Sequence, residues 1–200
     1  SLGQNLTGLY KQLYDNVEDL VLTGSGDIDA AGNALANTLK GNAGRNVLDG
    51  AAGSDTVVLS GVMADYTFMR ARGYIYVGDR IANRDGLDRW KNIERVSFLG
   101  SGQTLDIASL AIPSALDYVA SYADLMNART LLPGQFLLSA TYGTEQAAAD
   151  HYWNTGYAQG RSVSFDPLKY LASNVDLLAD LGADAATATA HYMARGRFEN

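Results

Sequence analysis

The 200-residue sequence has no cysteine, few basic residues and no long apolar run. Without cysteine, disulfides, thiolate metal sites and cysteine nucleophiles are excluded. The net charge of -7 disfavours nucleic acid and anionic membranes as partners, because both require a basic face. No segment approaches the roughly 18 consecutive apolar residues of a membrane span. The first residues carry no signal-peptide pattern, so we expect this segment to follow a removed signal or to be exported by another route.

Catalytic motifs are absent as well. The sequence contains no H-E-x-x-H, G-x-S-x-G, Walker or dinucleotide-binding pattern. Acid pairs such as Asp27 with Asp29 have the residue types that glycoside hydrolysis uses, but in an Asp-rich chain such pairs arise by chance. We therefore predict a non-enzymatic protein.

Composition divides the chain into two parts. Gly, Asn and Asp crowd residues 23–61, residues 65–107 alternate apolar and polar side chains, and Ala, Leu and Tyr dominate from Ser114 onward. The first two patterns predict turns and short strands, whereas the last predicts helices. Because Pro113 restricts the residue before it, we place the boundary there. The prediction is an α+β protein with a strand domain over 1–112 and a helical domain over 113–200.

A nonapeptide repeat is the strongest signal in the first part. Residues 32–40, 41–49 and 50–58 form contiguous blocks, each opening with glycine. The sixth and eighth places of the blocks are occupied by Asn37 and Leu39, Asn46 and Leu48, and Asp55 and Val57. Each block predicts a glycine-rich turn followed by a short strand with one inward apolar residue.

These blocks resemble the repeats-in-toxin (RTX) nonapeptide G-G-x-G-x-D-x-U-x, in which U is a large apolar residue. The resemblance implies a short parallel β-roll with calcium between turns two blocks apart, held by sixth-place side chains and turn carbonyls. The implied calcium-site residues are Gly32, Ala34, Asn37, Asn46, Gly50, Ala52 and Asp55. Asn in place of Asp removes charge and lowers affinity. The alternative is that Asn37 and Asn46 form metal-free asparagine ladders.

The flanks of the blocks extend the resemblance. Residues 16–24 are similar to the strand that leads into such rolls, and residues 85–98 to the segment that closes them in serralysin-like secreted proteins. Asp27 and Asp29 are secondary metal candidates that alternatively face solvent. Asp85 and Asp88 are further candidates, with turn formation beside a glycine as the alternative.

The helical part contains a longer repeat. Residues 118–126 match 170–178, and His151-Tyr152 matches His191-Tyr192, which gives two copies over about 116–165 and 166–200. We expect each copy to contain a short helix and an amphipathic helix ending at Gly156 or Gly196. The copies resemble Ala- and Tyr-rich repeats of bacterial surface or secreted proteins. The recurrence of histidine favours packing over chemistry.

The RTX resemblance implies a function. It predicts a non-catalytic, calcium-binding structural module of a secreted, extracellular or surface-attached bacterial protein that is exported by a type I system. One alternative is an adhesin or surface-layer module that binds a glycan or protein, for which the following aromatic residues could form a sugar platform: Trp90, Tyr152, Trp153 and Tyr157. Another is the tail of a secreted hydrolase.

Overall fold

The computed structural model describes residues 10–127 and 144–196. The chain forms two compact units, Ser1–Ile112 and Pro113–Asn200, which divide at the predicted boundary. The described part of the first unit consists mainly of strands and that of the second of helices. The predicted α+β class is therefore confirmed.

The first unit contains two sheets built from short strands. In strand order they are β1-β3-β5-β9-β8-β7 and β11-β10-β6-β4-β2. The strands are β1 (Tyr10–Gln12), β2 (Asp19–Val21), β3 (Asp29–Ala31), β4 (Thr38–Lys40), β5 (Val47–Asp49), β6 (Thr56–Leu59), β7 (Tyr66–Ala71), β8 (Tyr74–Asp79), β9 (Leu87–Lys91), β10 (Arg95–Phe98) and β11 (Gln103–Asp106). Short 3₁₀ turns cover Met63–Asp65 and Ile107–Ser109.

Strands β1 to β6 alternate between the two sheets. Neighbours within a sheet are parallel and lie two blocks apart, so that Ala30 pairs with Leu48 and Leu39 with Val57. This alternation turns the apolar side chain of each block toward the space between the sheets. Leu39, Leu48 and Val57 accordingly have no exposed surface. Each such buried side chain stabilises the fold by about 1.5–3 kcal/mol.

The parallel stack continues past the three blocks visible in the sequence. The antiparallel hairpin β7–β8 follows β6, and the chain then returns to the stack. In β9 Trp90 pairs with Leu48, and in β10 Val96 pairs with Val57, both in parallel register. Both side chains are buried, as Leu48 and Val57 are. Two further turns are therefore present after the interruption.

The second unit contains short helices, and side chains cap the N-termini of four of the described ones. They are α1 (Ala115–Ala120), α2 (Ala123–Asn127), α3 (Glu145–His151), α4 (Pro167–Ala172), α5 (Val175–Leu181) and α6 (Ala185–Ala194), and a π-helical turn over Tyr152–Gly156 extends α3. Ser114, Thr144, Asp166 and Asp184 cap α1, α3, α4 and α6 by accepting backbone N–H bonds. Such caps each contribute about 1 kcal/mol. The parts of the two predicted copies over 128–143 and 197–200 lie outside the described residues.

A tyrosine–histidine pair recurs in the helical unit. The Tyr118 hydroxyl is 2.8 Å from His151 Nδ1, and the Tyr170 hydroxyl is 2.8 Å from His191 Nδ1. The hydroxyl of each tyrosine also lies against a glycine, Gly156 or Gly196, where a Cβ would collide with it. Tyrosine, histidine and glycine thus recur together because they form one packed contact.

One buried hydrogen bond joins the two halves of the helical unit. The Thr189 hydroxyl on α6 donates to Asp117 Oδ1 on α1 at 2.5 Å, and both side chains are buried. The other oxygen of Asp117 accepts from the backbone N–H and hydroxyl of Ser114. Over the described ranges, none of the helices has both the length and the apolar character needed to cross a bilayer.

Candidate functional site

The sixth-place side chains of the stack line up along two edges. Because strands alternate between sheets, the turns before β4, β6 and β10 stack on one edge, and those before β5 and β9 stack on the other. We call the first, which carries Asn37, Asp55 and Glu94, the Asn37 edge. The second, which carries Asn46 and Asp88, is the Asn46 edge.

The opening glycine of each block makes room for a side-chain oxygen. A Cβ at Gly41 would lie 2.8 Å from both Asn46 Oδ1 and Asp88 Oδ2. At Gly32 it would collide with Asn37 Oδ1 and would lie 2.5 Å from the Gly50 carbonyl oxygen. The sixth-place side chain therefore folds back over the first residue of its own block, and only glycine leaves the space.

Asn37, a predicted calcium ligand, is fully engaged in hydrogen bonds. Its Oδ1 accepts from the backbone N–H of Asn33 at 2.8 Å, and its Nδ2 donates to Asn33 Oδ1 at 3.1 Å and to the Val17 carbonyl at 3.4 Å. Asn33 in turn donates from Nδ2 to the Tyr14 and Val17 carbonyls. The amides of Asn33 and Asn37 thus connect their turn to the turn before it.

The same arrangement recurs on the Asn46 edge. Asn46 Oδ1 accepts from the backbone N–H of Asn42 at 2.9 Å, and its Nδ2 donates to the Ile28 carbonyl at 2.8 Å and to Asn42 Oδ1 at 3.2 Å. Asn42 Nδ2 donates to the Thr23 and Gly26 carbonyls. Asn42 and Asn46 are buried. The second- and sixth-place asparagines of each of these two blocks thus bond to each other and to carbonyls of the neighbouring turn on the same edge.

Sequence reasoning missed the second-place asparagines. Asn33 and Asn42 occupy the place of the second glycine in the RTX pattern. Comparison with that pattern shows that they differ from it but indicates no role for them. The available signal was a correlation between places: Asn occupies both the second and the sixth place in two blocks, whereas the third block has Ala51 with Asp55. The structure gives this correlation a cause, because the two asparagines of a block bond each other.

Asp55, at the sixth place of the third block, differs from both asparagines. It is 1% exposed, and its Oδ1 accepts from the Asn37 backbone N–H at 2.8 Å. Its own N–H donates to Glu94 Oε2 at 2.7 Å. Its other oxygen, Oδ2, is buried with no hydrogen-bond partner. A buried carboxylate oxygen without a donor is costly unless a cation or proton compensates it.

One backbone oxygen lies on the same side of Gly50 as the unpartnered Asp55 Oδ2. A Cβ at Gly50 would lie 2.5 Å from this oxygen and would collide with the Asn92 carbonyl oxygen. Burial raises the pKa of Asp55, the Asn37 N–H opposes the rise, and the Glu94 and Asp49 carboxylates add to it. Carboxylate and carbonyl oxygens are the ligands that calcium prefers. Two of the predicted site residues, Gly50 and Asp55, therefore meet here, and Asn92 joins them.

The alanines predicted as carbonyl ligands lie on exposed turns. Ala34 and Ala52 both face solvent, and the Ala52 N–H donates to the Asn33 carbonyl at 3.3 Å. That bond again connects neighbouring turns of the Asn37 edge.

Asp88, a secondary candidate, lies in β9 at the sixth place of a turn. It is 2% exposed, and its Oδ1 accepts from the Asn46 N–H at 3.2 Å. Burial raises its pKa well above the ordinary value, the Asn46 N–H opposes this rise, and the Asp85 carboxylate adds to it. Asp88 therefore belongs to the Asn46 edge and not to a surface turn.

Asp85, the other candidate of that segment, is buried in a separate network. It accepts from the Ser60 N–H at 2.6 Å, the Ser60 hydroxyl at 2.7 Å and the Tyr66 hydroxyl at 2.6 Å. Nearby, the Arg84 guanidinium forms salt bridges with Asp79 at 2.7 Å and Asp65 at 2.9 Å. Protein donors therefore satisfy these carboxylates.

Asp27 and Asp29 each bind a neighbouring turn. Asp27 Oδ1 accepts from the Arg45 N–H and Asp29 Oδ1 from the Val47 N–H, each at 2.8 Å. Asp27 is exposed and Asp29 is half-buried. Both extend the pattern of side chains that reach the backbone one turn along the stack.

The remaining predictions concern a metal-binding cluster of side chains and an aromatic platform for a sugar. Within the described ranges, no group of three or more His, Asp or Glu side chains is arranged to hold a metal ion. An ion at Asp55 would therefore depend on backbone carbonyls for most of its ligands. Of the proposed sugar platform, Trp90 and Tyr152 are each 1% exposed and so present no face to a ligand.

The chain was compared with known proteins. No protein-family model matches it, and neither the curated proteins nor the solved structures include a significant match.

Proposed function

We propose that the chain is a non-catalytic structural module of a secreted protein, and that its first unit is a shortened RTX-type β-roll that binds calcium at Asp55. One observation carries the calcium assignment: Asp55 Oδ2 is buried without a hydrogen-bond partner, while a neighbouring backbone oxygen, that of Asn92, faces the same space over Gly50. A divalent cation would give the Asp55 carboxylate the positively charged partner that Oδ2 lacks.

The topology supports the roll. Parallel strands alternate between two sheets, and the eighth-place residues are buried in register across blocks. Secretion and type I export are proposed on the resemblance of the nonapeptide blocks. The helical unit is proposed as a packed repeat pair with no chemistry of its own, since its recurring Tyr–His contacts are explained by packing.

Asp55→Asn is the sharpest variant for the calcium assignment. It replaces the unpartnered oxygen with an amide of the same shape and removes the charge. Asp27→Asn is the matched control, since Asp27 is an exposed acid of the same unit that also accepts one backbone N–H.

The experiment is a calcium titration of chelator-treated protein, followed by heat of binding and by thermal unfolding. We expect one ion per chain, with an affinity of order 10⁻⁴–10⁻³ M as in extracellular calcium modules. Calcium at about 100 times the dissociation constant should raise the unfolding free energy by about 2.7 kcal/mol. Asp27→Asn should retain this response, and Asp55→Asn should lose it. Wild type that shows neither heat nor a shift in melting temperature at about 10 mM calcium contradicts the proposal.

Proton linkage provides a second readout of the same site. Because burial raises the pKa of Asp55 in the folded state, the metal-free protein gains stability as the pH falls from neutral through that raised pKa. Calcium competes with this proton, so its affinity should fall over the same interval. Calcium binding at a pH within that interval should therefore release protons in wild type but not in Asp55→Asn.

A further inference from the structure

We infer that the side-chain amides of the pairs Asn33–Asn37 and Asn42–Asn46 stand in for cations, so that the first turns of the stack fold without metal and calcium acts only on the third block and the closing strand. The part of the inference that concerns the asparagines rests on the proposed roll but not on calcium binding at Asp55. It explains why the first two blocks both carry asparagine at the second and sixth places of the RTX pattern.

The first step is the polarity of the bonds. In both pairs the amide nitrogens donate to carbonyl oxygens of the preceding turn: Asn33 to Tyr14 and Val17, and Asn42 to Thr23 and Gly26. Turn carbonyls are the groups that a bound cation would otherwise satisfy. Here the side-chain N–H groups of the asparagines place partial positive charge against these carbonyl oxygens, so that the carbonyls are satisfied without an ion.

The second step is completeness. The sixth-place amide donates to a carbonyl of the preceding turn and to its second-place partner, Asn37 to Val17 and Asn33, and Asn46 to Ile28 and Asn42. Each sixth-place Oδ1 accepts a backbone N–H of its own block. All four amide groups are thus bonded at both ends. A carboxylate at Asn37 would face acceptors at Val17 and Asn33, and this repulsion needs a cation to relieve it.

The third step is contrast within the same stack. The third block has Ala51 at its second place and so lacks the partner amide, and Asp55 Oδ2 is the atom left without a donor. Its neighbours across the turn are Asn92 and Glu94, which lie just before β10. A calcium response should therefore be confined to residues 50–59 and 92–98.

The test is hydrogen exchange of the full chain, read segment by segment in chelator and in calcium. In wild type we expect residues 32–49 to be equally protected in both conditions, and residues 50–59 and 92–98 to gain protection in calcium. In Asn37→Asp we expect exchange of residues 32–40 in chelator to rise about tenfold or more, because two donors are lost, and calcium to reverse this rise. Asn83→Asp adds the same charge on an exposed loop and should leave residues 32–49 unchanged.

Asp55→Asn tests the inference in the stabilising direction. It supplies an amide to the third block, so residues 50–59 and 92–98 should be better protected than in wild type in chelator, and calcium should add nothing. Less protection in this variant overturns the inference. The inference is also overturned if residues 32–49 of wild type lose their protection in chelator. It is overturned as well if calcium does not slow the exchange of residues 32–40 in Asn37→Asp.

The outcomes separate the two proposals. If calcium changes no segment of wild type, but residues 32–49 stay protected and lose protection in Asn37→Asp, the Asp55 calcium site is refuted and the role of the asparagine pairs is supported. If every turn of wild type loses protection in chelator, the role of the asparagine pairs is refuted and calcium binding is supported.

Discussion

Both units are built from repeats, but the side-chain hydrogen bonds that hold the repeats differ between the two units. In the strand unit, the polar side chains of one turn bond the backbone of the neighbouring turn, as when Asn46 reaches Ile28 and Asp55 reaches Asn37. In the helical unit most such bonds close within a repeat, through N-caps and Tyr–His pairs, and Thr189–Asp117 joins the two repeats. A single turn of the stack therefore leaves part of its hydrogen bonds to the neighbouring turn, whereas a helical repeat makes most of its own. This difference predicts that damage spreads further in the strand unit.

The largest effect is expected from Gly41→Ala. The added Cβ would lie 2.8 Å from Asn46 Oδ1 and from Asp88 Oδ2, and so would push apart two turns of the Asn46 edge. We expect a loss of about 3 kcal/mol in unfolding free energy, measured by urea denaturation. Gly26→Ala is the control, because its Cβ would meet nothing closer than 3.9 Å. Equal stability of the two variants would contradict the role of the opening glycine.

An intermediate effect is expected from Tyr118→Phe. The change removes the hydroxyl that lies 2.8 Å from His151 Nδ1 in a buried contact and should cost about 1–2 kcal/mol. Tyr170→Phe should cost less, since Tyr170 is only half-buried. Exchange measured by segment should show the loss within the affected repeat. Tyr14→Phe, at a 75% exposed position, is the neutral control. A loss that spreads equally to the other helical repeat would refute the proposed difference between units.

The smallest effect is expected at the surface. Arg161 and the largely exposed Asp124 form a salt bridge of 2.7 Å, and the hydrogen bond from Arg161 holds the pKa of Asp124 below its usual range. A lowered pKa contributes stability above the ordinary pKa of aspartate, and this contribution disappears as the pH falls through the lowered value. Asp124→Asn should therefore cost about 0.5 kcal/mol at neutral pH and nothing in strong acid. Asp180→Asn removes one charge at an exposed site without a salt bridge to Arg161 and serves as the control at neutral pH.

Much of the fold follows from local sequence pattern. The α+β class and the division near Pro113 were predictable, because composition and periodicity change there together. The inward places Leu39, Leu48 and Val57 also followed from the nine-residue period. Trp90 and Val96 were not recognised as further eighth-place residues, because the β7–β8 hairpin interrupts the period and a large aromatic side chain replaces leucine.

The site was predicted less completely than the fold. Asp55 and Gly50 were predicted site residues from their block positions, whereas the position of Asn92 beside them depends on strand pairing across a gap of some forty residues. The partners of Asn37 were not predictable either, since a lone asparagine at a turn indicates neither which carbonyl it meets nor that Asn33 completes the pair. Bonds between distant turns follow from register, and the interrupting hairpin hides the register of the last turns.

That hairpin has a practical consequence. It enters between β6 and β9 without disturbing the parallel pairing of Leu48 with Trp90, and its tip is the two-residue turn Arg72–Gly73, where both residues have positive φ. The space around Gly73 is open, since a Cβ added there would meet no atom within 4 Å. The tip is thus a natural graft point: a foreign peptide loop placed there would be displayed on a rigid scaffold, and the stack beneath it would keep its alignment.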